Sequence, residues 1–168
     1  MNMETKNKSI AIVPGSFDPI TNGHIDIVKR AAEKYDKVYL AVMINPSKSY
    51  MFTISQRTDI ARAAVEDIEN VEVISSDGML WELAKKLSAV AIVKGYRNDK
   101  DLEYEKNMAE FNREHYPNAR TELLKADKGL CDVSSTVVRH MIEKGECLDT
   151  VLPRGAIKEI NKITGKHI

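Results

Sequence analysis

The sequence predicts an α/β protein with a doubly wound parallel sheet of about five strands and helices on both faces. Short runs that are apolar at nearly every position recur along the chain, and strands of this kind are buried on both faces of a sheet. Segments with apolar residues at helical spacing separate these runs. Such segments supply the helical crossovers that parallel strands require.

In the first half, a strand at residues 10–13 leads through a loop rich in turn-forming residues to a helix that Thr21 caps. The apolar face of that helix comprises Ile25, Val28, Ala31, Ala32 and Tyr35. A second strand covers residues 38–44. Thr53 and Gln56 then have the spacing of a capping box, and the helix that they begin extends to Ile68. A third strand follows at residues 71–74.

In the second half, apolar spacing over residues 79–87 predicts a third helix, and the run at residues 90–93 a fourth strand. A helix at residues 100–114 and a shorter strand at about 121–124 follow. An irregular loop ends at Ser134, where a further helix begins, and Pro153 opens a last helix that ends near residue 163. Ligands bind beyond the carboxyl ends of strands in such sheets, so the loops there are expected to carry the function.

The composition narrows the classes of function. A chain of 168 residues suits one domain with a buried core, so residues 1–168 are predicted to form a single domain. The 25 basic and 25 acidic side chains give zero net charge, which argues against nucleic acid as a partner. No run is long enough to span a membrane, and the polar start lacks a signal peptide, so a cytoplasmic protein is expected. Cys131 and Cys147 match no zinc spacing and are interpreted as ordinary thiols.

The loop after the first strand contains neither common phosphate-binding fingerprint. G-x-x-x-x-G-K-[ST] is absent and G-x-G-x-x-G does not follow the strand, which weakens ATPase and dehydrogenase interpretations. Residues 14–24 read instead P-G-S-F-D-P-I-T-N-G-H. His24 falls in the first helical turn, beside backbone N–H groups that have no intrahelical partner, and this is a favourable place for an anion.

This loop resembles the T/S-x-x-H-type signature of the nucleotidyltransferase superfamily, relatives of the class I aminoacyl-tRNA synthetases. Further blocks extend the resemblance: P-S-K before M-F-T at residues 46–53, K-G-Y-R at 94–97, D-L-E-Y-E at 101–105 and S-S-T at 134–136. From residue 10 to about residue 152, the chain resembles the phosphopantetheine adenylyltransferase family. Sister families share the first motif but not the P-S-K...M-F-T and K-G-Y-R...E-Y-E blocks. The resemblance implies a Rossmann-like nucleotidyltransferase fold.

The resemblance also implies an enzyme that transfers AMP from ATP to 4′-phosphopantetheine, giving dephospho-CoA and pyrophosphate in coenzyme A biosynthesis. The attacking phosphate is already anionic, so direct in-line displacement needs neither a covalent intermediate nor a strong base. Mg²⁺ is expected to arrive with ATP, because no carboxylate cluster in the sequence defines a protein-built metal site. Family members are commonly homohexamers and respond to coenzyme A, which implies self-association and feedback inhibition by coenzyme A.

By the same resemblance, His24 stabilises the transition state at the transferred α-phosphate, and Ser16 and Phe17 contact the phosphates of both substrates. The further residues expected to bind phosphopantetheine are Lys48, Leu80 and Lys94. The further residues expected to bind ATP are Gly95, Tyr96, Arg97, Glu105, Leu130, Cys131, Asp132, Val133, Ser134, Ser135 and Thr136.

Several of these residues also fit ordinary structural roles. A histidine at a helix start usually only makes a hydrogen bond, a loop lysine is usually solvated, and an apolar helix residue is usually core. Hydroxyls in turns and at helix starts usually stabilise those elements. These alternatives apply to His24, Lys48, Leu80, Ser16 and residues 134–136. For Asp18 we favour ordinary turn chemistry over a base or a metal ligand.

Two other functions stay open on the sequence alone. The runner-up is another adenylyl- or cytidylyltransferase of the superfamily, acting on nicotinamide mononucleotide or a small alcohol phosphate. An alternative from a different class is a nucleotide-sensing or RNA-binding module that keeps the fold without catalysis. The neutral charge argues against RNA, and the presence of Ser16, His24, Lys48 and Arg97 argues against lost catalysis.

Overall fold

In residues 8–168, the part of the chain that the computed structural model describes, strands and helices alternate up to residue 125, and two α-helices follow. The strands are β1 (Ile10–Gly15), β2 (Lys37–Met43), β3 (Val71–Ser76), β4 (Ala91–Tyr96) and β5 (Arg120–Lys125). The helices are α1 (Asn22–Lys34), α2 (Ile54–Ala64), α3 (Leu80–Lys86), α4 (Asp99–His115), α5 (Ser135–Lys144) and α6 (Arg154–Thr164). A short 3-10 helix, Lys128–Leu130, lies in the loop predicted to be irregular. Each predicted element is therefore present, with ends that differ by a few residues.

The strands form one parallel sheet in the order β3-β2-β1-β4-β5. At its centre, Ile12 of β1 pairs with Tyr39 of β2 on one side and with Ile92 of β4 on the other. The chain passes outward from β1 to β3 and then returns to the opposite side of β1 to form β4. Strand order thus reverses between β1 and β4, whose carboxyl ends border the crevice where such sheets bind ligands.

Apolar side chains cover both faces of the sheet. On one face, alternate strand residues such as Val13 and Leu40 pack with α1, α2, α5 and α6. On the other face, Ile12 and Ile92 pack with α3 and with Tyr116, which follows α4. This arrangement confirms the predicted doubly wound sheet. No helix in residues 8–168 is both long enough and apolar enough to cross a membrane.

Strand β4 extends beyond the apolar run that predicts it. That run ends at residue 93, but residues 94–96 still pair with residues 123–125 of β5. Pairing continues because a ladder needs backbone N–H and C=O groups and does not need apolar side chains. Lys94 therefore projects from the sheet itself, which restricts its backbone more than a loop would.

Candidate active site

The first loop, residues 16–21, leaves β1 and leads into α1. Phe17 has a φ of 48°, in the left-handed region that residues with a side chain rarely adopt. Its buried ring lies against Gly15, where a Cβ atom would come within 2.8 Å of Phe17 Cζ. Within residues 8–168, the N–H of Phe17 has no hydrogen-bond acceptor. This backbone donor is therefore unpaired among the described residues.

His24 is the third residue of α1 and lies beside the first loop. The Thr21 N–H donates to its Nδ1 at 3.0 Å, and the Phe17 ring meets the imidazole edge-on with centroids 5.1 Å apart. Burial, followed by the positive charge of Arg97, lowers the pKa of His24 from 6.5 to about 4. The ring is thus neutral at pH 7 and, because Nδ1 accepts a hydrogen bond, its proton lies on Nε2. Nε2–H is the donor that His24 can offer to an anion.

Two cations at the end of β4 are paired with acidic side chains of α4. The Lys94 ammonium lies 2.7 Å from a Glu105 carboxylate oxygen, and Arg97 Nε donates to Asp101 at 3.0 Å. The Arg97 backbone N–H also donates to the Asp101 carboxylate, at 3.3 Å. Asp101 and Glu105 are four residues apart, so they lie on the same face of α4. The family resemblance places Lys94 at phosphopantetheine and Arg97 and Glu105 at ATP. The structure brings these three residues together at the carboxyl end of β4.

Two glycines mark where α1 approaches the neighbouring segments. A Cβ atom on Gly95 would lie 2.9 Å from Cγ1 of Ile27, so the end of β4 packs closely on α1. A Cβ atom on Gly23 would lie 3.5 Å from the carbonyl oxygen of Val133 and 3.7 Å from that of Leu130. The loop before α5 therefore lies against the first turn of α1, next to His24.

The start of α5 is tied to the first loop. Ser135 Oγ donates to the carbonyl oxygen of Pro19 at 2.8 Å. The Ser134 hydroxyl caps the helix by accepting a backbone N–H at 3.2 Å, and Thr136 Oγ1 accepts from Arg139 at 3.1 Å. All three hydroxyls thus have structural partners, while the backbone N–H groups of the first turn at residues 135 and 136 have no intrahelical acceptor. These N–H groups are the part of α5 best placed to meet an anion.

The remaining predicted site residues are less closely connected to this crevice. Lys48 is exposed, and within residues 8–168 its ammonium makes no hydrogen bond or ion pair. Leu80, the first residue of α3, packs partly against the core, which favours its core alternative. The Cys131 thiol contacts the carbonyl oxygen four residues earlier at 3.3 Å, Asp132 is exposed, and the carbonyl of Tyr96 accepts a backbone N–H at 2.8 Å. Ligand contacts by these five residues, like those by all the other predicted site residues, stay predictions.

Asp18 is more than a turn residue. Its buried carboxylate accepts the N–H of Met51 at 2.8 Å and that of Phe52 at 3.0 Å, immediately before α2. Arg139 lies 3.8 Å from the same carboxylate. These bonds occupy both carboxylate oxygens, so Asp18 connects two loops and is poorly placed to act as a free base.

Arg57 is a buried cation beneath the first loop that the sequence interpretation missed. It donates to the carbonyl oxygen of Ser16 at 2.7 Å. One local signal for it exists: Arg57 lies three residues before Ile60, on the apolar face that predicts α2. A charged residue at such a position is unusual and needs buried hydrogen-bond partners.

These groups give the crevice the chemistry of an anion site. Neutral donors come from His24, Phe17 and the start of α5, and positive charges come from Lys94 and Arg97. Donors and cations fixed before a ligand binds can stabilise negative charge without reorganisation during a reaction. Among the described residues, no three His, Cys, Asp or Glu side chains are grouped so that they could hold a metal ion.

Comparison with known proteins defines the class first. The chain matches the cytidylyltransferase-like family over residues 12–141, a span that includes the first loop, the cations of β4 and most of α5. Together with the parallel sheet, this match defines a nucleotidyltransferase fold and confirms the Rossmann-like expectation.

Curated relatives define the family more narrowly. The phosphopantetheine adenylyltransferase of Caldanaerobacter subterraneus subsp. tengcongensis is 44% identical over 144 residues, which cover 86% of this chain and 90% of that protein. The enzyme of the same name from Lactobacillus helveticus is 40% identical, in an alignment that covers 95% of this chain and 98% of that protein. The enzyme of that name from Clostridium novyi is 37% identical, in an alignment that covers 94% of this chain and 98% of that protein. The chain belongs to the phosphopantetheine adenylyltransferase family, as the sequence motifs predict.

Proposed function

We propose that this chain transfers AMP from ATP to the phosphate of 4′-phosphopantetheine, producing dephospho-CoA and pyrophosphate in coenzyme A biosynthesis. One observation carries the proposal: the neutral His24, the paired cations of β4 and the open N–H groups of α5 converge at one sheet edge in a member of this family. Two substrates that both react through phosphate groups require such a concentration of donors and cations.

The reaction is a direct displacement. A phosphate oxygen of phosphopantetheine attacks the α-phosphorus of ATP and forms a new P–O bond. The bond from that phosphorus to the oxygen bridging to the β-phosphate breaks, and pyrophosphate leaves with the bonding electrons. The barrier includes repulsion between the two anions, which positioned donors and cations reduce.

The residues divide between charge stabilisation and substrate binding. His24 would donate from Nε2 to the transferred phosphate, and the Phe17 N–H and Ser16 would contact phosphates of both substrates. Lys48, Leu80 and Lys94 are proposed to bind phosphopantetheine. The proposed ATP contacts are Gly95, Tyr96, Arg97, Glu105, Leu130, Cys131, Asp132, Val133, Ser134, Ser135 and Thr136.

A divalent cation, which we propose to be Mg²⁺, accompanies ATP. The acidic residues nearest the cations of the site, Asp101 and Glu105, are already paired with Arg97 and Lys94, so they do not form an obvious metal cage. The nucleotide phosphates are therefore expected to be the principal ligands of the ion.

We also propose that the chain self-associates as a homohexamer, is inhibited by coenzyme A and acts in the cytoplasm. Large apolar side chains of α4 support self-association, because Tyr104, Met108 and Phe111 are exposed and spaced to share one helix face. Light scattering tests this proposal: a hexamer has six times the 18.9 kDa mass of one chain.

A pyrophosphate-release assay tests the function. The protein is incubated with ATP, Mg²⁺ and one acceptor at a time: 4′-phosphopantetheine, nicotinamide mononucleotide or a small alcohol phosphate, with CTP replacing ATP in parallel. We expect release only with ATP and phosphopantetheine. Release with another acceptor alone would favour the runner-up transferase, and nucleotide binding without any release would favour a sensing module.

A further inference from the structure

Arg57 of α2 is almost wholly buried beneath the first loop, with 2% of its surface exposed. Its Nη1 donates to the carbonyl oxygen of Ser16 at 2.7 Å and to that of Met43 at 3.0 Å. The guanidinium stacks on Tyr50, 3.9 Å from the ring centroid. In the part of the chain that the structure describes, Arg57 has no carboxylate within ion-pair distance, and its Nε has no acceptor.

The Ser16 carbonyl and the Phe17 N–H belong to the same peptide group. This peptide is trans, so the C=O and N–H bonds lie in one plane and point in opposite directions. By holding the carbonyl from the α2 side, Arg57 directs the N–H away from α2. The structure gives that N–H no acceptor within residues 8–168.

The left-handed conformation of Phe17 needs such a restraint. A non-glycine residue stays at a φ of 48° only where its surroundings hold it there. The Arg57 bond to Ser16 fixes one side of the loop. Asp18 supplies a reciprocal bond, because its carboxylate holds the two N–H groups that precede α2. The first loop and the start of α2 thus position each other.

The charge of Arg57 adds a second effect. Among the described residues no carboxylate pairs with this buried guanidinium, so its positive charge lacks a paired counter-charge there. The resulting positive potential reaches the first loop through the Ser16 carbonyl contact. An anion bound at the Phe17 N–H would therefore be stabilised by both the donor and the charge behind it.

We propose that Arg57 is a positioning residue for phosphate binding: it orients the Ser16–Phe17 peptide so that the Phe17 N–H meets a substrate phosphate. This inference rests on the proposed function, in which that N–H contacts ATP. Arg57 itself touches no substrate and acts through the peptide.

The test compares Arg57→Met and Arg57→Lys with the matched control Arg62→Met. Arg62 lies on the same helix but is exposed and pairs with Asp59 at 3.2 Å. Calorimetry measures the binding of ATP and of adenosine, which lacks phosphates. We expect Arg57→Met to weaken ATP binding about tenfold, the order for one lost hydrogen bond to a charged group. Its affinity for adenosine should stay within about twofold of the wild-type value. Arg57→Lys should recover part of the ATP affinity, and the control should match the wild type.

If Arg57 had a merely structural role, Arg57→Met would weaken the binding of ATP and of adenosine equally, and that result would overturn the proposal. A folded Arg57→Met variant with normal ATP affinity would overturn it too. If neither variant folds, hydrogen exchange of the Phe17 amide in the unaltered chain decides: ATP should slow its exchange and adenosine should not. Equal slowing by both ligands would contradict the proposed orientation.

These outcomes are independent of the acceptor substrate. If the wild-type chain binds ATP but releases no pyrophosphate with phosphopantetheine, the proposed function fails while the comparison of ATP with adenosine still tests Arg57.

Discussion

The Lys94 ammonium and the Glu105 carboxylate form a 2.7 Å ion pair at the carboxyl edge of the sheet, with side chains 24% and 14% exposed. The family resemblance assigns these residues to different substrates. Their contact means that a phosphate binding to Lys94 has to compete with, or share, the charge of Glu105.

We expect Lys94→Met to raise the KM for phosphopantetheine about tenfold, because a charge-assisted hydrogen bond to phosphate is lost. Glu105→Gln should lower that KM, because it removes the competing negative charge. Steady-state kinetics with each substrate varied measures both effects. Glu103→Gln is the matched control, since Glu103 is an exposed residue two positions earlier on α4. A rise in KM for Glu105→Gln as large as that for Lys94→Met would instead mean that Glu105 orients Lys94.

His24 is expected to act through its Nε2–H, because Nδ1 already accepts the Thr21 N–H at 3.0 Å. His24→Ala should lower kcat about a hundredfold or more, the scale seen when one transition-state donor is removed, and change ATP affinity only slightly. His24→Gln extends an amide N–H toward the Nε2 position and should keep more activity than His24→Asn, which reaches only toward Nδ1. Kinetics and ATP binding, measured together, distinguish these cases. Equal losses of kcat and ATP affinity would contradict a transition-state role.

The lowered pKa of His24 also gives a dependence of stability on pH. Histidine in the unfolded chain titrates near 6.5, and His24 in the folded chain titrates at about 4. Between these values the unfolded chain binds a proton that the folded chain does not, so this group reduces stability as pH falls from 6.5 toward 4 and has no effect above that range.

Denaturant unfolding of the wild type and His24→Gln across this pH range measures that contribution. We expect the free energy of unfolding to fall less steeply with acidification in the variant. His24 should cause no inflection in the pH profile of activity near the ordinary histidine pKa, because the ring stays neutral there. Such an inflection in the wild type, absent from His24→Gln, would contradict the neutral assignment.

The order of strands and helices could be predicted because it depends on local signals. Apolar periodicity, the Thr53 cap and the turn residues of the first loop are all read within a few positions of one another. The proposal of an anion site at His24 rests on a local signal too, since a helix start exposes N–H groups wherever it occurs.

Contacts between distant segments could not be predicted in this way. Arg57 reaches Ser16 across 41 positions, and Asp18 reaches Phe52 across 34. Neither contact has a local pattern, apart from a charge on the apolar face of α2. The tautomer of His24 likewise depends on burial and on the Thr21 contact, which only the folded chain provides.

Glu122 of β5 joins the edge strand to α1 and should contribute stability that is lost in acid. Burial opposes its ionisation, but hydrogen bonds from Lys34, Tyr35 and Arg120 outweigh burial and lower the pKa of Glu122 from 4.5 to about 2. The folded chain therefore releases this proton more readily than the unfolded chain. The stabilisation is complete above 4.5 and disappears as pH falls toward 2.

We expect Glu122→Gln to lower the midpoint of thermal unfolding at neutral pH, and the difference from the wild type to shrink on acidification through that interval. Glu110→Gln is the control, because Glu110 pairs with Arg113 on the open surface and such pairs contribute little. A difference between Glu122→Gln and the wild type that is constant with pH would show that altered hydrogen bonding, rather than lost charge, destabilises the variant.

Gly155 of α6 is required by the close approach of α6 to α2. A Cβ atom at Gly155 would lie 2.1 Å from the carbonyl oxygen of Ala63, a backbone atom that cannot rotate away. We expect Gly155→Ala to force the helices apart and lower stability by about 1–3 kcal/mol, the usual cost of overpacking, with a fall in Tm of several degrees. Gly129→Ala is the control, because the nearest atom to its added Cβ lies 3.7 Å away.

The same substitution tests whether the position of α2 matters to the site. Because α2 carries Arg57, moving it away from α6 shifts the guanidinium relative to the Ser16 carbonyl that it holds at 2.7 Å. Gly155→Ala should therefore weaken the binding of ATP more than that of adenosine, at a temperature where the variant is fully folded. This effect is expected although Gly155 belongs to a helix remote in sequence from the first loop. Thermal unfolding and calorimetry on the same sample separate the two effects. A destabilised variant with wild-type ATP affinity would mean that the first loop holds α2 in place independently of α6.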